Sequence, residues 1–458
     1  MSADAVVGAS FRDPAGFVFE REGTLLRQVN LEYRPHFERL QSSGLLAKLW
    51  EEGLLVDHEE VDAPPAAPEV AWKVLRPRRV GFVSYPWEWC FEQLQDAALA
   101  TLRIQELALA RGMTLKDAAA PNAQFHAGRP VHIDSLSFEV LPEAAPWVAY
   151  GQFCRHFLAP LALSRVDARL AALSRNHVDG IPLDLASRTL PATSWLSFGL
   201  LVHLHLHARF ESRASGPVSP KGRRFSQSSL SGLIASLAST CRSLRSRSPA
   251  TVWGGYQPEG SYSAAALAQK RDTVTRMLER ARPATVWDLG ANTGEFSRIA
   301  AGVAAEVVAL DGDPAAVQAH YRALKARDER RVLPLLVDLA NPTGAQGWAH
   351  AEHRSLQSRG PCDLAMALAL VHHLAIGNQV PLPRLADWLA SIARRVILEF
   401  VPREDPQVVQ LLATRPGAFP DYQPAAFEAA MRQRFEVEDR VPLEGSGRVL
   451  YLLRRLRG

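Results

Sequence analysis

From Ala284 to the C-terminus, short apolar runs alternate with stretches whose apolar residues recur every three or four positions. The runs "TVWDLG", "EVVALD", "VLPLLVD", "CDLAMALAL" and "RRVILEFV" have the length and composition of strands. Helical patterns separate them at Glu295–Val303, at Pro314–Ala326, more weakly around Gly344–Leu356, and at Leu382–Ala393. Strand, crossover helix and parallel strand in succession predict a doubly wound α/β sheet. The ending differs. A last helix, Pro424–Arg434, leads into "RFEVEDRV", and "PLEGSG" joins that run to "RVLYLLRRL". Two strands joined by a short glycine-containing turn pair antiparallel, so the sheet should carry one reversed strand at its C-terminal end.

Residues 11–211 follow another pattern. "GFVFEREGTLLRQVN" alternates on either side of "REG" and predicts a hairpin. A helical stretch, "PHFERLQSSGLLAKLWEEGLL", precedes strands around "VDHEEV" and "VGFVSYP". A long helix from Pro86 to Gly112 comes next, with Leu94, Ala98, Leu102 and Leu109 near helical spacing. This half reads as α+β.

At 458 residues the chain can hold two or three domains, and its 47% hydrophobic and 22% charged composition is that of an ordinary globular protein. No apolar run approaches a membrane span; the richest, "WLSFGLLVHLHLHARF", is broken by histidines and an arginine. "MSADAVVGASFRDP" lacks the basic start and apolar stretch of a secretory signal. Cys90, Cys154, Cys241 and Cys362 are scattered singly, without metal-ligand spacing, which suits reduced thiols in a cytoplasmic protein. The net charge of +4 is uneven. Between Ser212 and Thr251 lie Arg213, Lys221, Arg223, Arg224, Arg242, Arg245 and Arg247 with no acidic residue, amid many Ser, Gly and Pro. That composition predicts an exposed linker. With a single aromatic, Phe225, among the charges, a solvated connector is favoured over a nucleic-acid contact. The expected domains are therefore 11–211, a linker at 212–250, and 251–458.

The chemistry concentrates in "ATVWDLGANTGEFSRIAA", a strand running into a glycine-containing turn and a helix. In an open parallel sheet such a turn floors the ligand pocket. Dinucleotide sites use G-x-G-x-x-G and seat a pyrophosphate on the helix N-terminus. Here Gly290 and Gly294 are spaced G-x-x-x-G, Asn292 stands between them, and the strand ends on Asp288. A carboxylate beside a pyrophosphate repels it, at a cost of order 1 kcal/mol or more in a partly desolvated cleft. An acid at this point suits a phosphate-free cofactor carrying positive charge, and S-adenosylmethionine has both an ammonium and a sulfonium.

On these residues the C-terminal part resembles the class I S-adenosylmethionine-dependent methyltransferases, from about Ala284 onward. "VWDLGANTGEF" is similar to the family's first motif and "VVALDGDPAAV" to its second. "LLVDLANP" and "CDLAMALALVHHLAI" are similar to the next two strand ends. The resemblance implies a Rossmann-like sheet with an antiparallel last strand and a cofactor site at Asp288, Gly290, Asn292, Gly294, Asp311 and Asp338. In it Asp311 accepts both ribose hydroxyls, and Asp338 meets the adenine amino group or merely opens the "LANPTG" loop. Asp311, followed by "GDP", can also be a helix cap, with Pro314 in the first turn. His372, in the pair His372–His373 beyond the fourth strand, is the candidate catalytic base, since imidazole titrates near neutrality. No "NPPY"-like sequence comes after that strand, which argues against a nucleobase amine as acceptor. Glu399, Arg403, Glu404, Asp405 and Arg415 lie in an expected lid or acceptor loop, without assigned roles.

In the N-terminal half, "MTLKDAAAPNAQFHAGRPVHIDSLSFE" resembles the catalytic loop and metal-binding strand of protein kinases and aminoglycoside-type phosphotransferases. Asp117, Asn122 and Asp134 keep the order and spacing, with "GRP" as the turn. The resemblance implies Asp117 as base and Asn122 and Asp134 as magnesium ligands serving Mg-ATP. Leu115 replaces a frequent His, Ser-Leu comes after Asp134 in place of Phe-Gly, and no glycine-rich phosphate loop precedes the first hairpin. The phosphate-pairing lysine has no clear match: the strand before the first long helix offers Arg27, while Lys73 in "VAWK" falls too late. The competing reading has Asp117 and Asn122 capping turns in an unrelated α+β domain. "HLHLH" sets His203 and His207 four apart, as a metal pair or as the end of an amphipathic helix.

The expectation is methyl transfer from S-adenosylmethionine to a small-molecule acceptor positioned by a kinase-like α+β domain, with no dedicated nucleic-acid module. The alternatives are a bifunctional kinase–methyltransferase and a binding protein that keeps the cofactor fold without turnover.

Overall fold

A computed structural model describes residues 5–213, 225–246, 262–413 and 417–456. Lys221, Arg223, Arg224, Arg247 and Arg415 lie outside the described residues. The chain forms two units: residues 1–248 with 345–353, and residues 249–344 with 354–458.

In the second unit, α1 (Ala264–Ala281) is capped by Ser263, whose side chain accepts the Ala266 N–H. Its Val274, Met277 and Leu278 lie in the core. Next along the chain come β1 (Thr285–Leu289), α2 (Glu295–Ala301), β2 (Glu306–Asp311), α3 (Pro314–Ala326), β3 (Val332–Leu336) and β4 (Cys362–Ala367). The unit closes with α4 (Leu382–Ile392), β5 (Ala393–Phe400), α5 (Pro406–Leu412), α6 (Pro424–Arg432), β6 (Phe435–Pro442) and β7 (Val449–Arg455). Pro314 after the Asp313 cap, and Pro406 after Asp405, fix where α3 and α5 begin.

These seven strands form one sheet in the order β3-β2-β1-β4-β5-β7-β6. The first five are parallel, and β7 pairs antiparallel with both β5 and β6. Gly445 and Gly447, both at positive φ, turn the last hairpin. The reversed strand expected from "PLEGSG" is therefore β7. Strand order reverses between β1 and β4, which opens a crevice beyond their carboxyl ends.

The first unit contains a five-stranded antiparallel sheet in the order Ala5–Val6, Gly16–Arg21, Thr24–Asn30, Ala71–Pro77, His58–Val61. The hairpin turns on Glu22 and Gly23, both at positive φ, as "REG" implied. The long helix runs from Phe91 to Leu109, and the hairpin Ala123–His126/Arg129–His132 turns through Ala127 and Gly128. From Tyr150 to Ser243 the described residues of this unit are mostly helical.

Three expectations need correction. "VGFVSYP" is not a strand: the Ser84 N–H donates to Gln124 Oε1 at 2.9 Å and the Ser84 carbonyl accepts Gln124 Nε2 at 2.9 Å, so a side chain satisfies this backbone. The strand lies earlier, at Ala71–Pro77. Around Gly344–Leu356 there is only a single 3₁₀ turn, Trp348–His350, because Gly347, Ala349 and His350 all have positive φ. Of that stretch, residues 345–353 belong to the first unit, where Glu352 pairs with Arg12 at 2.6 Å. Finally, within the supposed linker 212–250, Gln227–Ser243 form a helix with Leu230, Ile234, Leu237 and Cys241 buried. A repeat of apolar residues every three or four positions hidden among serines outweighs the polar composition.

Candidate functional site

Beyond the carboxyl ends of β1, β2 and β4 lies a cavity of about 640 Å³, within the size range of cofactor sites. Asp288, Gly290, Asn292, Asp311 and Asp338 all line it. β1 and β2 run side by side with Asp288 opposite Ala309, which brings the two strand-end acids to one edge. Asp288 is buried, and its Oδ2 accepts the Ser297 hydroxyl at 2.6 Å. Burial pushes its carboxyl up to about 6, with the Ser297 hydrogen bond opposing and the Asp311 charge adding to the rise. The Asp311 carboxyl is also raised by burial, while the N–H groups of Asp313 and Asn292 work against that rise. Asp311 Oδ1 accepts the Asp313 N–H at 2.8 Å and Oδ2 accepts the Asn292 N–H at 2.7 Å. Each oxygen keeps acceptor capacity for a second hydrogen.

Gly290 and Gly294 both hold φ near +77°, a region side chains disfavour. They serve differently. Gly290 lines the cavity. Gly294 packs behind it: a Cβ there would stand 1.9 Å from His320 Nε2 on α3. It sets the loop against α3 and does not line the cavity. Asp338, exposed, accepts the Ala340 N–H at 2.9 Å and rims the opening. Asp313 caps α3 through the Ala315 N–H at 2.8 Å.

His372 is misplaced for catalysis. It is fully buried off the cavity, tilted against His373 with ring centroids 4.2 Å apart, and its Nε2 lies 3.4 Å from Gln407 Oε1. Burial pulls its pKa down to about 3. The next residue, His373, lines the cavity, and burial lowers its pKa too, so its imidazole is neutral.

A polar network missed in the sequence borders the same cavity. Lys270 Nζ lies 2.8 Å from Glu399 Oε2 and 2.8 Å from the Tyr262 hydroxyl, which donates to Glu399 Oε1 at 2.5 Å. Arg448 donates to Tyr262 and, through Nε, to Asp405 Oδ2 at 2.8 Å. Burial favours the acid form of Glu399, but Lys270 and Arg448 outweigh it and hold the carboxyl below its usual range. Tyr262, Lys270 and Gln407 line the cavity. The signal was present: a lysine inside the apolar stripe of α1 and a glutamate inside "VILEFV" each demand a buried partner. Arg403, from the same loop, donates to the carbonyls of Ala418 and Phe419 at 2.9 and 2.8 Å.

The lining thus carries five carboxylates (Asp288, Glu295, Asp311, Asp313, Asp338) against one ammonium, Lys270, itself paired. Asn292 Oδ1 is buried there without a hydrogen-bond donor. A site of acceptors with one orphaned oxygen fits a ligand rich in hydroxyl, amino and cationic groups and disfavours phosphates.

In the first unit the kinase-type residues are arranged otherwise. Asp117 Oδ1 accepts the Ala119 N–H at 2.9 Å, a turn cap. Asn122 Nδ2 is buried without a partner. Asp134 forms an ion pair with Arg27, accepts the Leu136 N–H at 3.0 Å and takes the Ser137 hydroxyl at 2.7 Å. Burial alone would raise the Asp134 carboxyl, but Arg27 and Ser137 hold it well below the usual range. Protein donors therefore engage both of its oxygens. Among the described residues no group of three or more His, Cys, Asp or Glu is placed to hold a metal ion. His203 meets Tyr150 at 2.9 Å and Ser236 at 2.8 Å, and His207 meets Glu211 at 3.4 Å, so the "HLHLH" histidines are held by neighbouring side chains. The four cysteines are buried free thiols. No helix among the described residues is long and apolar enough to cross a membrane.

No family model matches the chain. The nodulation protein NoeA of Rhizobium meliloti (strain 1021) is 33% identical to it over 461 residues, spanning 98% of this chain and 96% of that protein. Among solved structures, the N-methyltransferase NodS from Bradyrhizobium japonicum WM9 in complex with S-adenosyl-L-homocysteine is 12% identical, covering 45% of this chain and 95% of its own, with a TM-score of 0.34. Magnesium protoporphyrin IX methyltransferase from Synechocystis PCC 6803 with bound S-adenosylmethionine is 19% identical over 41% of this chain and 80% of its own, with a TM-score of 0.30. The bifunctional kinase-methyltransferase WbdD is 21% identical over 44% of this chain and 42% of its own, also with a TM-score of 0.30.

Proposed function

The chain belongs to the NoeA family of nodulation proteins, and we propose that it transfers a methyl group from S-adenosylmethionine to a small-molecule acceptor. The observation that carries this reading is the acid-rich lining: five carboxylates and an orphaned Asn292 oxygen around a cavity at the sheet's switch point. Asp311 would hold the ribose hydroxyls, Asp338 the adenine amino group, Asp288 the cationic methionine end and Lys270 its carboxylate. When bound, the cofactor supplies an electrophilic methyl group on a sulfonium.

The protein's own work is alignment and dehydration. The Asn292 N–H on Asp311 fixes the loop that floors the site, and Leu368, Leu370 and Leu374 exclude water from its wall. Glu399 and Tyr262 hold the Lys270 ammonium in place. His373, neutral and cavity-lining, is the group able to take a proton from a hydroxyl or ammonium acceptor, in place of His372. We assign the first unit to acceptor positioning; the engagement of Asp134 by Arg27 and Ser137 argues against phosphoryl transfer there.

The test is label transfer. The full chain, given cofactor labelled in the methyl group and a pool of small metabolites, should yield a labelled product, and Asp311→Ala should lower its yield at limiting cofactor. Labelling of nucleic acid alone would overturn the acceptor class.

A further inference from the structure

Five arginines line a second cleft of about 1000 Å³ in the same unit, at the opposite end of the sheet from Asp288 and Asp311. Arg394 and Arg395 open β5, Arg454 and Arg455 close the antiparallel β7, and Arg434 lies just after α6; Asp387, on α4, is the one acid in the lining. Because the cofactor loops leave the carboxyl ends of the parallel strands, residues that begin β5 lie a strand's length away. The two sites are separate.

This concentration is deliberate in one respect. Arg395 and Arg454 stand directly opposite each other in the β5–β7 register, a like-charge pairing that sheets avoid. Glu438 bridges them, at 3.2 Å from Arg395 and 2.9 Å from Arg454. Arg454 also pairs with Glu436, Arg434 with Asp387 at 2.6 Å, and Arg394 with Asp363 at 3.4 Å. Arg455 donates to the Ala390 carbonyl at 2.9 Å. Four carboxylates, with Glu438 shared between Arg395 and Arg454, thus hold four guanidinium groups in place, while the side chains of Arg394, Arg395, Arg434 and Arg454 stay 67%, 37%, 56% and 43% exposed. A ligand with one carboxylate would only exchange partners with these acids. A ligand whose adjacent groups each carry charge can engage several forks together, and tetrahedral phosphates match the guanidinium fork.

We propose that this cleft binds an oligophosphate group, belonging either to a soluble phosphate ester or to headgroups at an anionic lipid surface. The proposal is independent of the methyl-transfer reading.

The experiment uses the full chain and two probes: inorganic tripolyphosphate in calorimetry, and flotation with phosphatidylglycerol or phosphatidylcholine vesicles. Tripolyphosphate binding that falls at least tenfold in Arg394→Glu/Arg455→Glu, but not in Arg276→Glu on exposed α1 surface, supports a soluble source. Flotation with phosphatidylglycerol only, lost in the same double variant, supports a lipid source. Should the charge reversal lower the melting temperature, Arg394→Gln/Arg455→Gln serves in its place. Absence of binding in both arms, or binding equally reduced by Arg276→Glu, overturns the site. Asp311→Ala, which tests the other cavity, should leave both probes unaffected.

Discussion

The backbone N–H of Asn292 donates to the carboxylate of Asp311 at 2.7 Å, tying the loop after β1 to the end of β2. The acid therefore shapes the floor of the cavity as well as facing it. Asp311→Ala should weaken S-adenosylmethionine binding by about 1–3 kcal/mol, the worth of charge-assisted hydrogen bonds to two hydroxyls. Calorimetry with the product, S-adenosylhomocysteine, checks this without turnover.

Asp288 provides a pH signature. Burial pushes its carboxyl up to about 6, against about 3.9 in an unfolded chain. The native state then holds the proton more tightly, so its stability declines as pH rises between about 4 and 6, by roughly 3 kcal/mol in all. A cationic ligand favours the ionised form, so its affinity should rise about tenfold from pH 5 to pH 7 and then level off. Urea midpoints and titrations at both pH values test this, and Asp288→Asn should flatten both profiles.

Gly294 should tolerate no side chain. Alanine there meets His320 and adopts a disfavoured φ, at a combined cost of about 2–5 kcal/mol. Gly294→Ala/His320→Ala should regain only the steric part. Urea denaturation of the single and double variants separates the two contributions.

In the first unit, Asp134→Ala strands the Arg27 guanidinium, only 12% exposed, and should cost about 3–5 kcal/mol. Magnesium with ATP should not raise the wild-type melting temperature. A rise that Asp134→Ala removes would restore the kinase reading.

The sheet of the second unit was legible because its signals are local: apolar runs ending in Asp or Gly, and the acid–proline start of α3; α5, inside the expected lid or acceptor loop, was not foreseen. That Asp288, Gly290, Asn292, Asp311 and Asp338 would gather around one cavity was legible for the same reason, since each lies at or just beyond a strand end. The Lys270–Glu399 pair was not, since its partners are 129 residues apart and only the fold joins them. Neighbouring histidines could not be told apart either, because whether His372 or His373 faces the cavity depends on the local turn, His373–Gly377, which is a π-helix. "VGFVSYP" misled for a related reason: its strand-like pattern is paired by Gln124 from a distant segment.

An acid-lined cavity should select a cationic, phosphate-free nucleoside, and parallel calorimetric titrations of the full chain with S-adenosylmethionine and with NAD test this most directly. The expected result is saturable binding of S-adenosylmethionine, weakened in Asp311→Ala, and no heat of binding with NAD. Saturable NAD binding with none of S-adenosylmethionine would contradict it.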